Sequence, residues 1–347
     1  ALGFFLDDLT GDDRLDVLAS AGGADVGGTD RGAFYVWSGA TLQSGDPDFT
    51  LTVNTGVSDQ DRLGVNVNDS PGFLVEDVTG DGVNDLVVAA PTADRGGTDR
   101  GAVYVWTGGA TLNTADPDFA LEVVTGVSDG DRLGVTTTGA VGLLARDVTG
   151  DGVADVIAGA SNADRGGLDR GATYVWQGGT SLSAGEPDFV LEVTTGVSDG
   201  DRLGIVAVGS QGILLTDVSG DGVLDLLVSA AFADRGNVDR GAVYVWLGGA
   251  NLSPANPDAV LEVTSGASDG DQIGRDHDGG RAVFVGDATG NGQPEIVVAA
   301  PGADLAGGNR GALYLWRAGA SGFTVGDPDV TLSVSAASNN DLLGSSN

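Results

Sequence analysis

Residues 77–106 are DVTGDGVNDLVVAAPTADRGGTDRGAVYVW. This pattern recurs through the chain, because the tryptophans stand 69 or 70 residues apart and each follows a tyrosine by two positions. The sequence of 347 residues therefore consists of five units of about 70 residues, with no room for a separate domain or linker. All five tyrosines and all five tryptophans belong to the pattern, at Tyr35 and Trp37, Tyr104 and Trp106, Tyr174 and Trp176, Tyr244 and Trp246, and Tyr314 and Trp316.

Each unit contains four apolar segments separated by turn signals. In the second unit these segments are 72–77, 85–91, 101–107 and 118–125. The second segment is apolar on both faces, and the third has aromatic residues on one face and valines on the other. We therefore expect strands whose sheets are covered on both sides. The fourth segment carries Glu122 at its centre, as is typical of an outer strand.

A four-stranded antiparallel sheet that is repeated and packed face to face with its copies forms a propeller blade. We predict an all-β fold, a single β-propeller domain of five four-stranded antiparallel blades. The alternative is an open solenoid, although solenoid repeats are usually shorter. The predicted blades span approximately residues 1–57, 72–127, 142–197, 212–267 and 281–337.

The last residues, 338–347, repeat the approach to a further unit. They either close the ring against the first blade or continue into a longer array. We favour closure, because an open stack would leave two apolar blade faces exposed. At the other end, residues 1–6 lack a basic leader and a cleavage region, so we expect residue 1 to begin a mature or excised segment.

Composition excludes several classes of function. Fifty acidic residues face 16 cations, all arginine, which gives a net charge of −34. Such a field repels phosphate, so we expect no nucleic-acid partner. The lack of cysteine excludes disulfides and thiolate sites, and a single histidine disfavours histidine-dependent catalysis. No apolar run approaches the length of a membrane span, so we expect no direct membrane insertion.

An acidic loop joins the first two strands of each unit, as at 77–85 in the second unit. Side-chain oxygens stand at loop positions 1, 3, 5 and 9, glycine usually stands at position 6, and position 7 offers a carbonyl. Short loops wrap calcium in this way. Without a cation the carboxylates would repel each other by roughly 1–4 kcal/mol per pair, a cost that a plain turn does not explain.

We predict three to five structural Ca²⁺ ions. Position 12 is Val88, inside a strand, so the loop is not an EF-hand. The first unit has Asp13 where glycine is expected, and the fifth unit has the least complete loop. The predicted ligands are Asp8, Thr10, Asp12, Asp16 and the carbonyl of Arg14; Asp77, Thr79, Asp81, Asp85 and the carbonyl of Val83; Asp147, Thr149, Asp151, Asp155 and the carbonyl of Val153; Asp217, Ser219, Asp221, Asp225 and the carbonyl of Val223; and Asp287, Thr289, Asn291 and Glu295.

Residues 133–176 contain in order Leu133-Gly134, the loop 147–155, the strand 156–160 and the segment 170–176. Together these segments resemble the FG-GAP repeats of the integrin α-subunit propeller. The resemblance covers essentially the whole chain and implies a calcium-stabilised propeller, extracellular or at a cell surface, that acts in recognition or cell adhesion. The chain departs from the family in having leucine in place of the phenylalanine of Phe-Gly, units longer than about 60 residues, and five copies where seven are usual.

Successive antiparallel strands alternate in direction, so the acidic loops between the first and second strands all lie on one rim of the propeller. The loops between the second and third strands, and the connections between units, lie on the other. In integrin-like propellers the ligand face lies opposite the calcium loops, so we expect a protein or glycan ligand on this second rim. Arginines shared by all units are expected to brace neighbouring loops there instead of binding ligand, namely Arg31, Arg100, Arg170, Arg240 and Arg310.

Two features of the second rim occur once only, and each is either part of a unique site or an incidental variation. They are the aromatic Phe232 and the segment 275–278, RDHD, which contains the single histidine, His277. The loop 58–61 and its copies are a further, weaker candidate for cations.

The resulting hypothesis is a non-enzymatic, extracellular, calcium-binding module for recognition or cell adhesion. The first alternative is a structural component of a surface layer, appendage or larger assembly with other surface proteins. A calcium-dependent polysaccharide lyase or hydrolase is less favoured, because the regularly spaced carboxylates are assigned to calcium and the chain has no lysine.

Overall fold

The computed structural model describes residues 3–64, 72–135, 142–204, 212–250, 252–254, 256–275, 281–305, 308–319, 322–323, 326–335 and 338–344. These residues form five antiparallel sheets, each built from four strands paired in sequence order. The fifth sheet has one additional short strand. The all-β prediction of five four-stranded blades is confirmed.

The strands follow one scheme in every blade, from a first strand to a short fourth strand. The first blade comprises β1 (Phe4–Asp7), β2 (Asp16–Ala21), β3 (Ala33–Trp37) and β4 (Phe49–Leu51). The second comprises β5 (Phe73–Glu76), β6 (Asp85–Ala90), β7 (Ala102–Trp106) and β8 (Phe119–Leu121), and the third β9 (Leu143–Arg146), β10 (Asp155–Ala160), β11 (Ala172–Trp176) and β12 (Phe189–Leu191). The fourth comprises β13 (Ile213–Thr216), β14 (Asp225–Ala230), β15 (Ala242–Trp246) and β16 (Ala259–Leu261). The fifth comprises β17 (Val283–Gly286), β18 (Glu295–Ala300), β19 (Ala312–Gly319), β20 (Gly322–Phe323) and β21 (Val330–Leu332), and a 3₁₀ turn covers Gly179–Ser181.

The fourth strand is shorter than the sequence predicts. In the second blade β8 ends at Leu121, whereas the apolar pattern predicts a strand to residue 125. Glu122 follows the strand instead of lying within it, and its carboxylate accepts a hydrogen bond from Arg95. The acidic side chain therefore belongs to an ion pair at the end of the strand.

Each junction between blades joins two different faces. In β7, Tyr104 and Trp106 lie on one face, which packs against the blade before it. Val103 and Val105 point to the opposite side, against the blade after it. We call these the backward face and the forward face. A buried tyrosine or tryptophan removes about 150–250 Å² from water, so the aromatic pair dominates each junction.

The first strands of successive blades surround a common space. A cavity of about 570 Å³ is lined by β5, β9 and β13, by Phe5 of β1 and by Arg281, which stands just before β17. A single cavity shared by all five units indicates a radial arrangement of the blades, because the first strands of a linear stack would not converge.

A leucine–glycine pair carries the chain from one blade to the next. Leu133 donates to the carbonyl of Arg100 in its own blade, and Gly134 donates to the carbonyl of Gly159 in the following blade. Gly134 has a φ of +86°, and a Cβ there would lie 2.7 Å from the Cβ of Ala89. Glycine is needed because this close approach leaves no space for a side chain.

The final residues occupy the same place on the fifth blade. Leu343 donates to the carbonyl of Arg310, as Leu133 does to Arg100. Gly344 lies beside Ala299 of β18. In the part of the chain that the structure describes, the segment 338–344 therefore packs on its own blade. Residues 345–347 lie outside the described residues.

An arginine ties each of the three inner blades to the blade before it. Arg165 pairs with Glu192 of its own blade at 2.6 Å and donates to the carbonyl of Thr125 in the preceding blade at 3.0 Å. The second and fourth blades repeat this arrangement with Arg95 and Glu122, and with Arg235 and Glu262. The first and fifth units lack both partners. In the first unit Val26 replaces the arginine and Thr52 the glutamate, and in the fifth unit Leu305 and Ser333 do so.

This paired loss predicts strong coupling between the arginine and the glutamate. The substitution Arg165→Leu should lower the free energy of unfolding by about 2 kcal/mol, because Glu192 would stay half-buried without its cation. The double variant Arg165→Leu/Glu192→Ser has the pair found in the fifth unit and should recover about 1 kcal/mol. Urea titration of the four chains, followed by circular dichroism, measures the coupling.

Arg170→Leu is the matched control. Its partner Asp199 is mostly exposed, so we expect a loss of only about 0.5 kcal/mol. Additive effects of the two substitutions at 165 and 192 would contradict the coupling.

Candidate functional site

The acidic loops wrap around their first aspartate. Asp77 accepts the amide of Gly80 at 2.7 Å and that of Gly82 at 2.9 Å, one at each carboxylate oxygen. Asp81 accepts the amide of Val83 at 2.9 Å. The third, fourth and fifth loops repeat the first two contacts at Asp147, Asp217 and Asp287.

The first loop reaches the same shape without the usual glycine. Asp8 accepts the amides of Asp12 and Asp13 at 3.0 and 2.7 Å, and Arg14 donates its amide to Asp12 at 3.0 Å. Asp13 adopts a φ of +64°. Asp is among the residues that tolerate this left-handed conformation, so the departure at position 6 leaves the loop intact.

The acid at position 9 faces inward. Asp85 is fully buried, and its Oδ2 accepts the amides of Val78 and Thr79 at 2.9 Å. Its Oδ1 accepts the amide of Gly108, in the loop between the third and fourth strands, at 3.0 Å. Burial raises the pKa of Asp85 despite these amides, which lower it. The side chain therefore holds two loops of one rim together.

This clamp recurs around the rim. Asp16, Asp155 and Asp225 make the same contacts to Gly39, Gly178 and Gly248. In the fifth loop Glu295 is also fully buried and accepts the amides of Ala288 and Thr289 at 2.8 and 3.0 Å. Its longer side chain reaches the same two amides, so the substitution preserves that half of the clamp.

The predicted calcium ligands are brought together only in part. Position 5 is exposed in every loop and position 1 is half-buried in all but the fifth, whereas position 9 is buried and accepts backbone amides. Among the residues that the structure describes, no group of three acidic side chains is arranged to hold a metal ion. The complete ligand set therefore stays a prediction.

The chemistry of the loop nonetheless suits a hard cation. All candidate donors are oxygens, as Ca²⁺ requires. The Oγ1 of Thr79 is buried without a hydrogen-bond partner, and at the same position Thr149 makes only a 3.3 Å contact to Asp155. The Gly292 amide, followed by others, holds the pKa of Asp287 below its usual value, so this carboxylate is ionised at neutral pH.

Neighbouring acidic loops touch through position 7. The Val83 side chain lies over Gly11 of the preceding loop, where an added Cβ would stand 3.1 Å from Val83 Cγ1. Val153 covers Gly80 in the same way, and Val223 covers Gly150. The fifth unit has Gln293 here, and Gly220 has no neighbour within 4 Å of an added Cβ. The sequence predicts only the carbonyl role of position 7, not this side-chain contact.

On the opposite rim, the shared arginines brace the connections between units. Arg100 pairs with Asp129 at 3.2 Å, and Arg31 and Arg170 pair with Asp59 and Asp199. Arg240 donates to the carbonyl of Ala267, and Arg310 donates to Asn339. These are the carboxylate and carbonyl contacts that the sequence predicts for a structural arginine.

The weaker cation candidate, the loop 58–61, is closed by its own acid. Asp61 accepts the amide of Ser58 at 2.9 Å, and Asp131, Asp201 and Asp271 repeat this contact. Burial raises the pKa of Asp61, and a neighbouring carboxylate, Asp94, adds to the effect. The acid thus has a local structural role.

The two unique features of this rim lie side by side. The guanidinium of Arg275 stands 5.9 Å from the ring centroid of Phe232, in the range of a cation–π contact. Arg275 also donates to Gln272. Gln272 occupies the position at which Arg132 and Arg202 pair with Asp99 and Asp169 in other units. Residues 276–278 of the candidate segment lie outside the described residues.

Arg275 also lies near Asp239, the counterpart of Asp99 and Asp169, which has no arginine at position 272 to pair with it. Burial and the nearby Asp234 raise the pKa of Asp239, and the charge of Arg275 offsets part of this increase. A comparison of the units in the sequence indicates this contact, because the fourth unit differs from the second and third at both position 272 and position 275.

Comparison with known proteins agrees with the repeat. The FG-GAP repeat family matches residues 72–106, 209–246 and 279–316. Integrin alpha-PS5 of Drosophila melanogaster is 30% identical over 178 residues, which cover 51% of this chain and 15% of the integrin. The aligned region is thus a small part of that relative. No helix in the described residues is long and apolar enough to cross a membrane.

Solved structures with a related shape include the exotype rhamnogalacturonan lyase YesX, at 14% identity and a TM-score of 0.47, covering 92% of this chain and 48% of that one. Rhamnogalacturonan lyase PL11 of Bacillus licheniformis aligns at 12% identity and a TM-score of 0.41, covering 91% and 64%. Likeness at this level carries no information about reaction or substrate. Three segments of the chain thus match the FG-GAP repeat, and about half of its length is similar to an integrin α subunit.

Proposed function

We propose that this chain is an extracellular, calcium-stabilised propeller module that acts in recognition or cell adhesion and is not an enzyme. The observation that carries the proposal is the difference between the two rims. One rim repeats an acidic loop in every unit, whereas the other rim carries the pair Phe232 and Arg275, which occurs in one unit alone. The integrin similarity supports the extracellular and adhesive parts of the proposal.

In the proposed role, calcium is structural. The oxygens of Asp77, Thr79 and Asp81 and the carbonyl of Val83 would hold the ion, which neutralises the loop. Asp85 anchors the loop to the strand below it, and Val83 rests on the preceding loop. Calcium would therefore stabilise both the loop and the contact between two blades. The same arrangement applies to the third and fourth units, in which Val153 and Val223 rest on the preceding loop.

The proposed recognition surface is the rim opposite the acidic loops. At one position of this rim the five units carry Gly23, Thr92, Asn162, Phe232 and Gly302, so only the fourth unit has an aromatic. Phe232 with the guanidinium of Arg275 offers a flat, polar-edged surface of the kind that contacts sugars and peptides. The net charge of −34 favours neutral or basic ligands over polyanions.

A structural component of a larger assembly is the second candidate. The observation that favours it is the repetition of nearly identical rims in all units, which would provide repeated lateral contacts.

Removal of calcium should lower the melting temperature. At a free concentration of 100 times Kd, one site contributes about 2.7 kcal/mol, so excess chelator should reduce the melting temperature by several degrees.

Asp81→Asn keeps the acceptor for the Val83 amide but removes the charge. It should lower the bound calcium by one ion per chain in native mass spectrometry and reduce the calcium-dependent shift.

The matched control is Asp46→Asn, which removes an exposed carboxylate from a turn on the same rim. It should leave both the stoichiometry and the shift unchanged. A protein that retains no calcium and melts identically with and without chelator would contradict the calcium role.

Recognition can be measured on a printed array of neutral oligosaccharides and basic peptides. We expect binding to a subset of spots, and Phe232→Ala should weaken that binding by roughly tenfold or more, as truncation of an aromatic anchor does. Leu42→Ala removes an exposed side chain from the acidic-loop rim and should have no effect. Sensitivity to Leu42→Ala alone, or an array without signal, would contradict recognition by the proposed rim.

A further inference from the structure

The cavity between the first strands has the size and the lining of a small-molecule site. Its volume is about 570 Å³, and ten of its thirteen lining residues are apolar. Ligand pockets in proteins typically measure roughly 300–1,000 Å³ and combine apolar walls with a few polar groups that fix the orientation of the ligand. The cavity therefore matches such pockets in both volume and chemistry.

Three equivalent leucines contribute to the apolar wall. Leu74, Leu144 and Leu214 each stand second in the first strand of their blade, in β5, β9 and β13. All three are half-buried and line the cavity. An apolar occupant would remove the remaining surface of these side chains from water, which is favourable.

The end of the cavity nearest the acidic rim carries a closed ion pair. Arg146 is the last residue of β9, and its Nη1 donates to Glu76 Oε2, at the end of β5, at 2.9 Å. Both residues are followed directly by an acidic loop, which places them at that rim. Each charge has its partner, so this end of the cavity is locally neutral.

The other end of the cavity carries a single cation. Arg281 stands two residues before β17, and because each first strand ends at an acidic loop, a residue that precedes the strand lies toward the opposite rim. Arg281 is exposed and makes no ion pair with any residue that the structure describes. Its charge is therefore available to an anionic group that enters the cavity.

No other unit has an arginine at the position of Arg281. The equivalent residues are Leu2, Pro71, Val141 and Gln211. The blade fold therefore does not require a cation at this position. The shared arginines, in contrast, brace the connections between units.

The apolar wall has a definite length along the strands. In β9 three apolar residues, Leu143–Ala145, precede Arg146. At about 3.3 Å per residue they extend over roughly 10 Å. A cation at one end of an apolar wall of this length suits a ligand with one anionic group and an apolar body.

We propose that this cavity binds a small amphipathic carboxylate. The carboxylate would pair with the guanidinium of Arg281, which can donate two parallel hydrogen bonds to it. The apolar body would lie between Leu74, Leu144 and Leu214. This site is separate from the recognition surface at Phe232 and does not depend on it.

Isothermal titration calorimetry of the full chain with octanoate tests the proposal. The titration uses about 0.15 M NaCl, where a Debye length of about 8 Å limits repulsion by the net charge of −34. We expect a Kd below about 1 mM for this ligand of about ten non-hydrogen atoms. Affinity should rise about two- to fourfold per CH₂ from hexanoate to octanoate. Absence of binding up to about 5 mM octanoate, or affinity independent of chain length, would overturn the proposal.

Arg281→Gln tests the charge and introduces the residue that the fourth unit has at this position. It should weaken octanoate binding by about tenfold and leave the binding of octanol unchanged, because octanol has no charge to pair. Leu144→Asn should weaken both ligands, since both contact the apolar wall. Circular dichroism and thermal melting verify that each variant folds. If Leu144→Asn does not fold, the contrast between octanoate and octanol in Arg281→Gln decides the outcome.

Arg317→Gln is the matched control, because it removes an exposed arginine that does not line the cavity. It should bind octanoate like the wild type. An equal loss of octanoate binding in Arg317→Gln and Arg281→Gln would mean that the anion responds only to the overall charge. Unchanged octanoate binding by Arg281→Gln would mean that the anion binds elsewhere. Either result rejects the proposed site.

Discussion

Every blade after the first depends on the burial of one tyrosine and one tryptophan against the aliphatic side of the blade before it. The two rings lie about 6.2–6.3 Å apart between centroids and are sealed together in four blades. The regular recurrence of the pair every 69 or 70 residues follows from this requirement, because each unit must place the two rings at the same position against its neighbour. The remaining features of the unit hold that packing in register.

Those features act at three places, namely the acidic rim, the connections between blades and the opposite rim. On the acidic rim, the buried acid of each loop joins two loops of one blade, and the valine at position 7 joins loops of neighbouring blades. Between the faces, the leucine–glycine connection links each blade to the next through one backbone hydrogen bond. On the opposite rim, arginine–carboxylate pairs brace the connections between units. Polar contacts thus position sheets whose association is driven by apolar burial.

The sequence predicts the fold well because its signals are local and repeated. The period, the alternation in 102–106 and the turn residues determine the blades, and the shared arginines have the bracing role expected of them. The fourth strand is predicted too long because the apolar pattern continues past Leu121, whereas Glu122 is drawn to Arg95. That contact joins residues 27 apart and becomes visible in sequence only by comparing which units have lost both partners.

The candidate site is harder to predict because its contacts also join residues that are far apart in the sequence. Spacing indicates that Asp85 belongs to the acidic loop, but spacing does not specify whether its oxygens face a cation or backbone amides, and Gly108 lies 23 residues away. The proximity of Phe232 and Arg275 likewise depends on the packing of a connection against a neighbouring loop. The partial burial of Trp37 makes one of the five indole rings more accessible to solvent than the others. Four indoles are sealed from solvent and one is partly exposed, so a collisional quencher such as acrylamide should reduce mainly the fluorescence of Trp37.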